Sequence, residues 1–94
     1  MYVIAIYDIA DKKIYQEKDN SRRIRKQFEK YLKRVNYSVF EGELSAAEYK
    51  SLFGYVKKHA NEKLDSIVFY LFSSLQYSKR ESIGEDKINE GFIT

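Results

Sequence analysis

The chain has no cysteine. That excludes a disulfide framework and any thiolate metal site, and it suits a reducing cytoplasm. No apolar run approaches the ~18 residues of a membrane span, so no membrane partner is expected. Met1 opens directly onto apolar sequence, without the basic n-region and small-residue cleavage site of a secretory signal. The four glycines, Gly42, Gly54, Gly84 and Gly91, form no phosphate-cradling loop. His59 is the one histidine, and near a helix C-terminus it reads as a surface residue complementing the dipole. Ser38 has no nearby histidine to activate it, which leaves a nucleophilic serine without support. There is no proline, internal repeat, linker or low-complexity segment.

What remains is 94 residues with 44% hydrophobic content. A single compact domain of that size buries a modest core, and a stable partner surface would help it. The formal net charge of +3 hides an asymmetry. Between Lys12 and Arg34 there are ten basic residues against three acidic ones, a local +7 that leaves the rest of the chain at −4. A block of this sign suits a polyanion, with nucleic acid the first candidate. A solvated helix face accounts for it as well.

The opening "MYVIAIYDI" is apolar or aromatic at every position but Asp8. It reads as a central strand, Tyr2 to Ile9, with apolar residues on both faces. A polar loop follows from Ala10 to Asn20. Asp19, Asn20 or Ser21 can cap the next helix. Ile24, Phe28, Tyr31, Leu32 and Val35 make its apolar stripe, while Arg22, Lys26, Lys30 and Lys33 line another face. In "RVNYSVFEGEL", Val35, Tyr37 and Val39 alternate with Asn36, Ser38 and Phe40, which argues strand, with Gly42 as a break or bulge. Two antiparallel strands between Arg34 and Leu44 leave almost no room for a turn. Ser45 with Glu48 fits the capping box of a second helix, with core positions Tyr49, Leu52, Phe53, Val56 and Ala60. "LDSIVFYLF", Leu64 to Phe72, reads as a second strongly buried strand. The order is βαββαβ with a tail, an α+β ferredoxin-like two-layer sandwich over residues 1–72, followed by a C-terminal extension over 73–94.

Asp8 is the unusual residue. A carboxylate ending a buried strand can close an Asx-type turn, pair with the basic helix, or hold a hard cation such as Mg²⁺. One Asp8 per chain is a thin site. A two-fold axis that set two such strand ends face to face would bring Asp8 and its mate onto one shared metal, which could activate water on a phosphodiester. Glu41 and Glu43 offer further carboxylates, or simply a surface strand end.

The strand ending in "YDI", the basic first helix, and "RVNYSVFEGEL" leading into a capped helix together resemble one family over residues 1–72. It is the small CRISPR-associated adaptation protein Cas2, also called the CRISPR-associated endoribonuclease of ferredoxin-like fold. The loop "KKIYQEKD" is longer than that family's usual pattern. The resemblance implies a prokaryotic, cytoplasmic homodimer in which the segment around Ile83 to Ile93 adds a strand to the partner's sheet. It implies Mg²⁺, or Mn²⁺ in its place, shared between the two copies of Asp8 as catalytic metal ligand. Tyr7, Ser38 and Phe40 match supporting positions. Arg22, Arg23, Lys26, Lys30 and Arg34 are the expected contacts to duplex DNA or single-stranded RNA. It further implies a metal-dependent endonuclease active in spacer acquisition beside the CRISPR integrase, Cas1. The alternative is a non-catalytic scaffold that holds duplex DNA for that integrase.

Overall fold

The computed structural model describes residues 1–8, 20–61, 65–73 and 81–84. The loop Ala10 to Asp19, with Lys12, Lys13 and Lys18, lies outside them, and so does most of the C-terminal segment expected to reach the partner. The elements are β1 (Tyr2–Asp8), α1 (Asn20–Tyr31), β2 (Lys33–Asn36), β3 (Val39–Glu43), α2 (Ala46–His59) and β4 (Ser66–Phe72). The four strands form one sheet in the order β2-β3-β1-β4. Every pair is antiparallel. This is the α+β, ferredoxin-like two-layer arrangement the sequence order implies.

The alternation of β1 decides which side chain goes where. Val3 and Ala5 are fully buried and join Ile24, Phe28, Phe40, Leu52 and Val56 in one core between the sheet and both helices. Tyr2, Ile4, Ile6 and Asp8 point to the opposite, outer face, as period-two geometry requires. In α1, Ile24 and Phe28 bury the apolar stripe, and Leu32 extends it by one residue because its N–H donates to the Phe28 carbonyl at 2.7 Å. Aromatic rings tie the layers together. Phe28 lies 5.5 Å from Tyr7, 5.2 Å from Phe40 and 6.0 Å from Phe69, centroid to centroid.

Three expectations need correction. The helix stops at Tyr31, so Lys33 and Val35 belong to β2 with Arg34 and not to the helical stripes. The reason is pairing: Lys33 and Arg34 are captured by Glu41 and Phe40 of β3. Gly42 neither breaks nor bulges its strand; the irregularity lies opposite, between Arg34 and Asn36. Gly42 instead admits the end of α1, since a Cβ there would come within 3.1 Å of Leu32 Cδ2 and 3.5 Å of its Cα. Finally, β4 is not strongly buried. Val68, Tyr70 and Leu71 are exposed, because two helices cover only one face of the sheet and β4 ends the described strand order.

The tight connection between the two middle strands is achieved by a turn at Tyr37–Ser38. Helix α2 starts as expected. The Ser45 side chain accepts from Glu48 N–H at 3.1 Å, and the Glu48 carboxylate accepts from Ser45 N–H at 2.9 Å. These bonds hold the Glu48 carboxyl below its ordinary value of 4.5, the backbone donor contributing most and the Ser45 side chain next.

Three outcomes follow from this architecture. Ser45→Ala should lower stability by about 1 kcal/mol in urea unfolding. Because the folded carboxyl titrates lower than the unfolded one, the contribution of Glu48 is present above pH 4.5 and is lost as pH falls through the folded value. The melting-temperature advantage of wild type over Glu48→Gln should therefore shrink between pH 5 and pH 3. Phe28→Ala removes the ring common to three aromatic contacts. It should cost about 3–5 kcal/mol, a large part of the roughly 5–15 kcal/mol that such domains hold. Chemical denaturation checks this directly.

Candidate functional site

Asp8 is the last residue of β1 and lies opposite Ser66 of β4. Its side chain is exposed on the outer face of the sheet, so no desolvated charge has to be stabilised there. Among the described residues it has no hydrogen-bond or ion-pair partner, and no group of three or more His, Asp or Glu side chains is placed to hold a metal. The carboxylates flanking Gly42 do not join it. Glu41 pairs with Ile4, four residues back from Asp8 and thus roughly 13 Å away along the strand. Its Oε1 accepts from Tyr2 O–H at 2.9 Å. Glu43 lies at the far end of β1, where its carboxylate meets the Met1 ammonium at 3.0 Å.

The residues expected to support Asp8 converge on the neighbouring turn. The Tyr7 N–H donates to the Ser38 carbonyl at 3.0 Å, which ties the end of β1 to the hairpin between β2 and β3. Tyr7 turns its ring to the helix side, 5.5 Å from Phe28 and 5.9 Å from Phe40, and its hydroxyl reaches the Tyr37 carbonyl at 3.5 Å. Phe40 is fully buried and acts as a wall of the core. Ser38 contributes through its main chain.

Arg34 belongs to the same knot. Its Nε and Nη2 donate to the Tyr37 carbonyl at 3.1 and 2.6 Å, while the guanidinium sits 5.0 Å from the Tyr37 ring and 6.0 Å from that of Phe40. Planar donors of this kind fix a turn better than a lysine would. Arg34 is therefore a half-buried clamp on β2, separate from the exposed helical cations.

Those cations are Arg22, Arg23, Lys26 and Lys30 of α1, all exposed. Leu32 meets Gly42, the partner of Val3, whereas Phe28 meets Tyr7. Helix α1 thus runs antiparallel to β1, and its first turn, with Arg22 and Arg23, lies toward the Asp8 end of the sheet. The helix layer and the outer face remain on opposite sides of that sheet.

One residue of this corner escapes the period-two reading of the sequence. Tyr37 is not in a strand but in the turn, and its side chain is 80% exposed. The signal for it was the missing room between Arg34 and Leu44. The turn is closed locally by Asn36, whose Oδ1 accepts from Tyr37 N–H at 2.6 Å.

The chemistry of the site is that of one hard oxygen ligand on an exposed strand end. Such a donor suits Mg²⁺, which keeps most of its waters and takes one or two carboxylates. Comparison with known proteins identifies the family in both sequence and shape. Residues 1–80 match the model of the family described as CRISPR associated protein Cas2. The chain is 40% identical over 93 residues to the CRISPR-associated endoribonuclease Cas2 of Thermotoga maritima, covering 99% of each chain. It is 33% identical over 87 residues to the protein of the same name from Dictyoglomus turgidum, covering 93% of this chain and 92% of that one. The crystal structure of Streptococcus pyogenes Cas2 at pH 6.5 superposes with a TM-score of 0.71 at 30% identity, over 89% of this chain and 100% of the other. This chain belongs to the CRISPR-associated protein Cas2 family.

Proposed function

We propose that this chain is a metal-dependent endonuclease of the CRISPR adaptation machinery, cutting phosphodiesters as a homodimer with Asp8 of each copy as metal ligand and catalytic residue. The observation that carries this reading is the place of Asp8. It stands exposed at the corner of the outer sheet face, in line with an apolar patch. Along that face Ile6 pairs with Val68 and Val39, and Ile4 pairs with Tyr70. Ile6, Val68 and Tyr70 are exposed at 40%, 43% and 50%. Packing two such faces about a two-fold axis buries the patch and gives each single carboxylate a mate. The names of the relatives from Thermotoga maritima and Dictyoglomus turgidum as endoribonucleases support RNA as a substrate.

In this reading each residue has a separate task. Asp8 holds one side of a shared Mg²⁺ or Mn²⁺. When bound, the cation supplies a polarised water and a counter-charge for the phosphoryl group. Tyr7, Ser38 and Arg34 keep the strand end and the adjoining turn in place, and Phe40 backs them. Arg22, Arg23, Lys26 and Lys30 attract the phosphates of the strand. Ile83, which opens the segment expected to reach the partner copy, is fully exposed within its own chain, and most of that segment lies outside the described residues.

A second reading has its own observation. A single carboxylate that belongs to no group of three or more metal-ligating side chains among the described residues, together with four exposed cations along α1, suits a scaffold. Such a dimer lays duplex DNA along its helices and holds the CRISPR integrase, Cas1, at a fixed spacing.

The deciding experiment is a cleavage assay with Mg²⁺ titrated in, on short RNA and on duplex DNA, comparing wild type with Asp8→Asn. Cutting by wild type that vanishes in the variant establishes the nuclease; equal cutting by both refutes the assignment of Asp8. Duplex binding with no cutting by either favours the scaffold. The helix is tested by salt. Replacing Arg22 and Arg23 by alanine should flatten the slope of log K against log salt by roughly 0.9 for each phosphate that the helix no longer neutralises, and an unchanged slope rules out this helix as the contact surface. Ile6→Glu with Val68→Glu should leave a folded monomer in sedimentation that no longer cuts.

A further inference from the structure

We propose that Tyr37 is a stacking platform that receives one unpaired base of a single-stranded RNA bound to the enzyme. The proposal rests on the nuclease reading above and assigns to it a specificity-determining residue.

Tyr37 is 80% exposed, yet nothing about its backbone is loose. Its carbonyl accepts from Arg34 Nε at 3.1 Å, from Arg34 Nη2 at 2.6 Å and from Tyr7 O–H at 3.5 Å. Its N–H is held by Asn36 Oδ1 at 2.6 Å. The Arg34 guanidinium lies over the ring at 5.0 Å. Four hydrogen bonds order the main chain of this turn, and the cation–π contact orients a ring that stands out in water. The other exposed aromatics have different surroundings. Phe53 leans on Tyr49 and Phe69, and Tyr70 lies within the apolar outer face beside Ile4.

A ring backed by a guanidinium and open to water suits a flat aromatic partner that can share its π density. A nucleobase on Tyr37 would complete a ladder of Arg34, tyrosine and base, in which the cation and the stack act on the same π-system. Because the turn is already ordered, binding freezes out little further conformational freedom. The location gives the stack a consequence. The bond from Tyr7 N–H to the Ser38 carbonyl at 3.0 Å joins the residue before Asp8 to the residue after Tyr37. The turn therefore abuts the strand end, with the Tyr37 carbonyl held from the helix side by Tyr7 and Arg34 and the Asp8 side chain on the outer face. A base held on Tyr37 is unstacked from its neighbours. A duplex, whose base faces are covered, cannot use the platform.

The test separates binding from cutting. In an Asp8→Asn background without Mg²⁺, the affinity of a labelled 12-nucleotide RNA is measured against an unlabelled hairpin duplex of the same composition. Tyr37→Ala should weaken the single strand roughly tenfold, equal to about 1.4 kcal/mol, and leave the duplex within twofold. Tyr37→Phe should retain single-strand affinity. An abasic nucleotide walked along the RNA should cost wild type the same tenfold at one position and cost Tyr37→Ala nothing further there, the mark of one interaction removed from either side. Single-stranded DNA of the same sequence should weaken alike if the ring meets the base alone. Weakening confined to RNA adds a sugar contact to the same stack. Unchanged affinity in Tyr37→Ala, equal weakening of single strand and duplex, or additive effects in the abasic series would overturn the proposal. So would a change in oligomeric state alone, which would make the ring a protein contact. Each readout stands whether or not the wild type cuts RNA.

Discussion

Strand β1 is hydrogen-bonded along both edges, to β3 and to β4, and its register with them fixes everything else. With that register Val3, Ala5 and Tyr7 face the helices, and Ile4, Ile6 and Asp8 face away. A slip of one residue would exchange the two sets and bury the carboxylate under α1. The aromatic contacts resist such a slip, because Tyr7 must lie against both Phe28 and Phe40. The far end is held as well: the Met1 ammonium donates to the Leu44 carbonyl and pairs with Glu43, at 2.8 and 3.0 Å. The strand is thus pinned at its start by charge and at its end by rings.

How much of this is legible in the residues alone depends on how local its cause is. The cap of α2 is fully legible, since Ser45 and Glu48 satisfy each other within four positions. The element order and the place of Asp8 at a strand end are legible for the same reason: alternation and stripe are short-range patterns. The end of α1 is not. Val35 continues the helical spacing well, and only pairing with a strand still downstream removes it from the helix. Gly42 reads as a breaker because a glycine gives no sign of the Leu32 side chain that will lie above it. The exposure of Val68 and Tyr70 is hidden because apolar content says nothing about which face of a sheet two helices cover.

The corner that carries Asp8 is built largely by one short segment, Arg34 to Phe40. "YSVFEGEL" identifies the family, yet it does not say what its members do in space. In the structure its tyrosine, Tyr37, stands in water, its phenylalanine, Phe40, fills the core, and its serine, Ser38, supplies a carbonyl to β1. Arg34 ties the first two together through one carbonyl oxygen and two rings. The same short segment is therefore both the wall behind the strand end and the surface beside it. A substitution in it alters the placement of Asp8 even when the carboxylate itself is untouched.

The pairing of β1 also has a consequence for how the chain comes into being. Strand β1 is synthesised well before its partner β4, for Tyr2 pairs with Phe72. At ribosomal rates of about 5–20 residues per second, the intervening seventy residues take roughly 4–14 s to appear. During that interval an apolar, β-prone heptapeptide has at most one of its two edges occupied. Closing so long a loop is slow even once the chain is complete. The single acidic side chain of this strand, at its C-terminal end, is then the only charge that discourages the nascent segment from pairing with copies of itself.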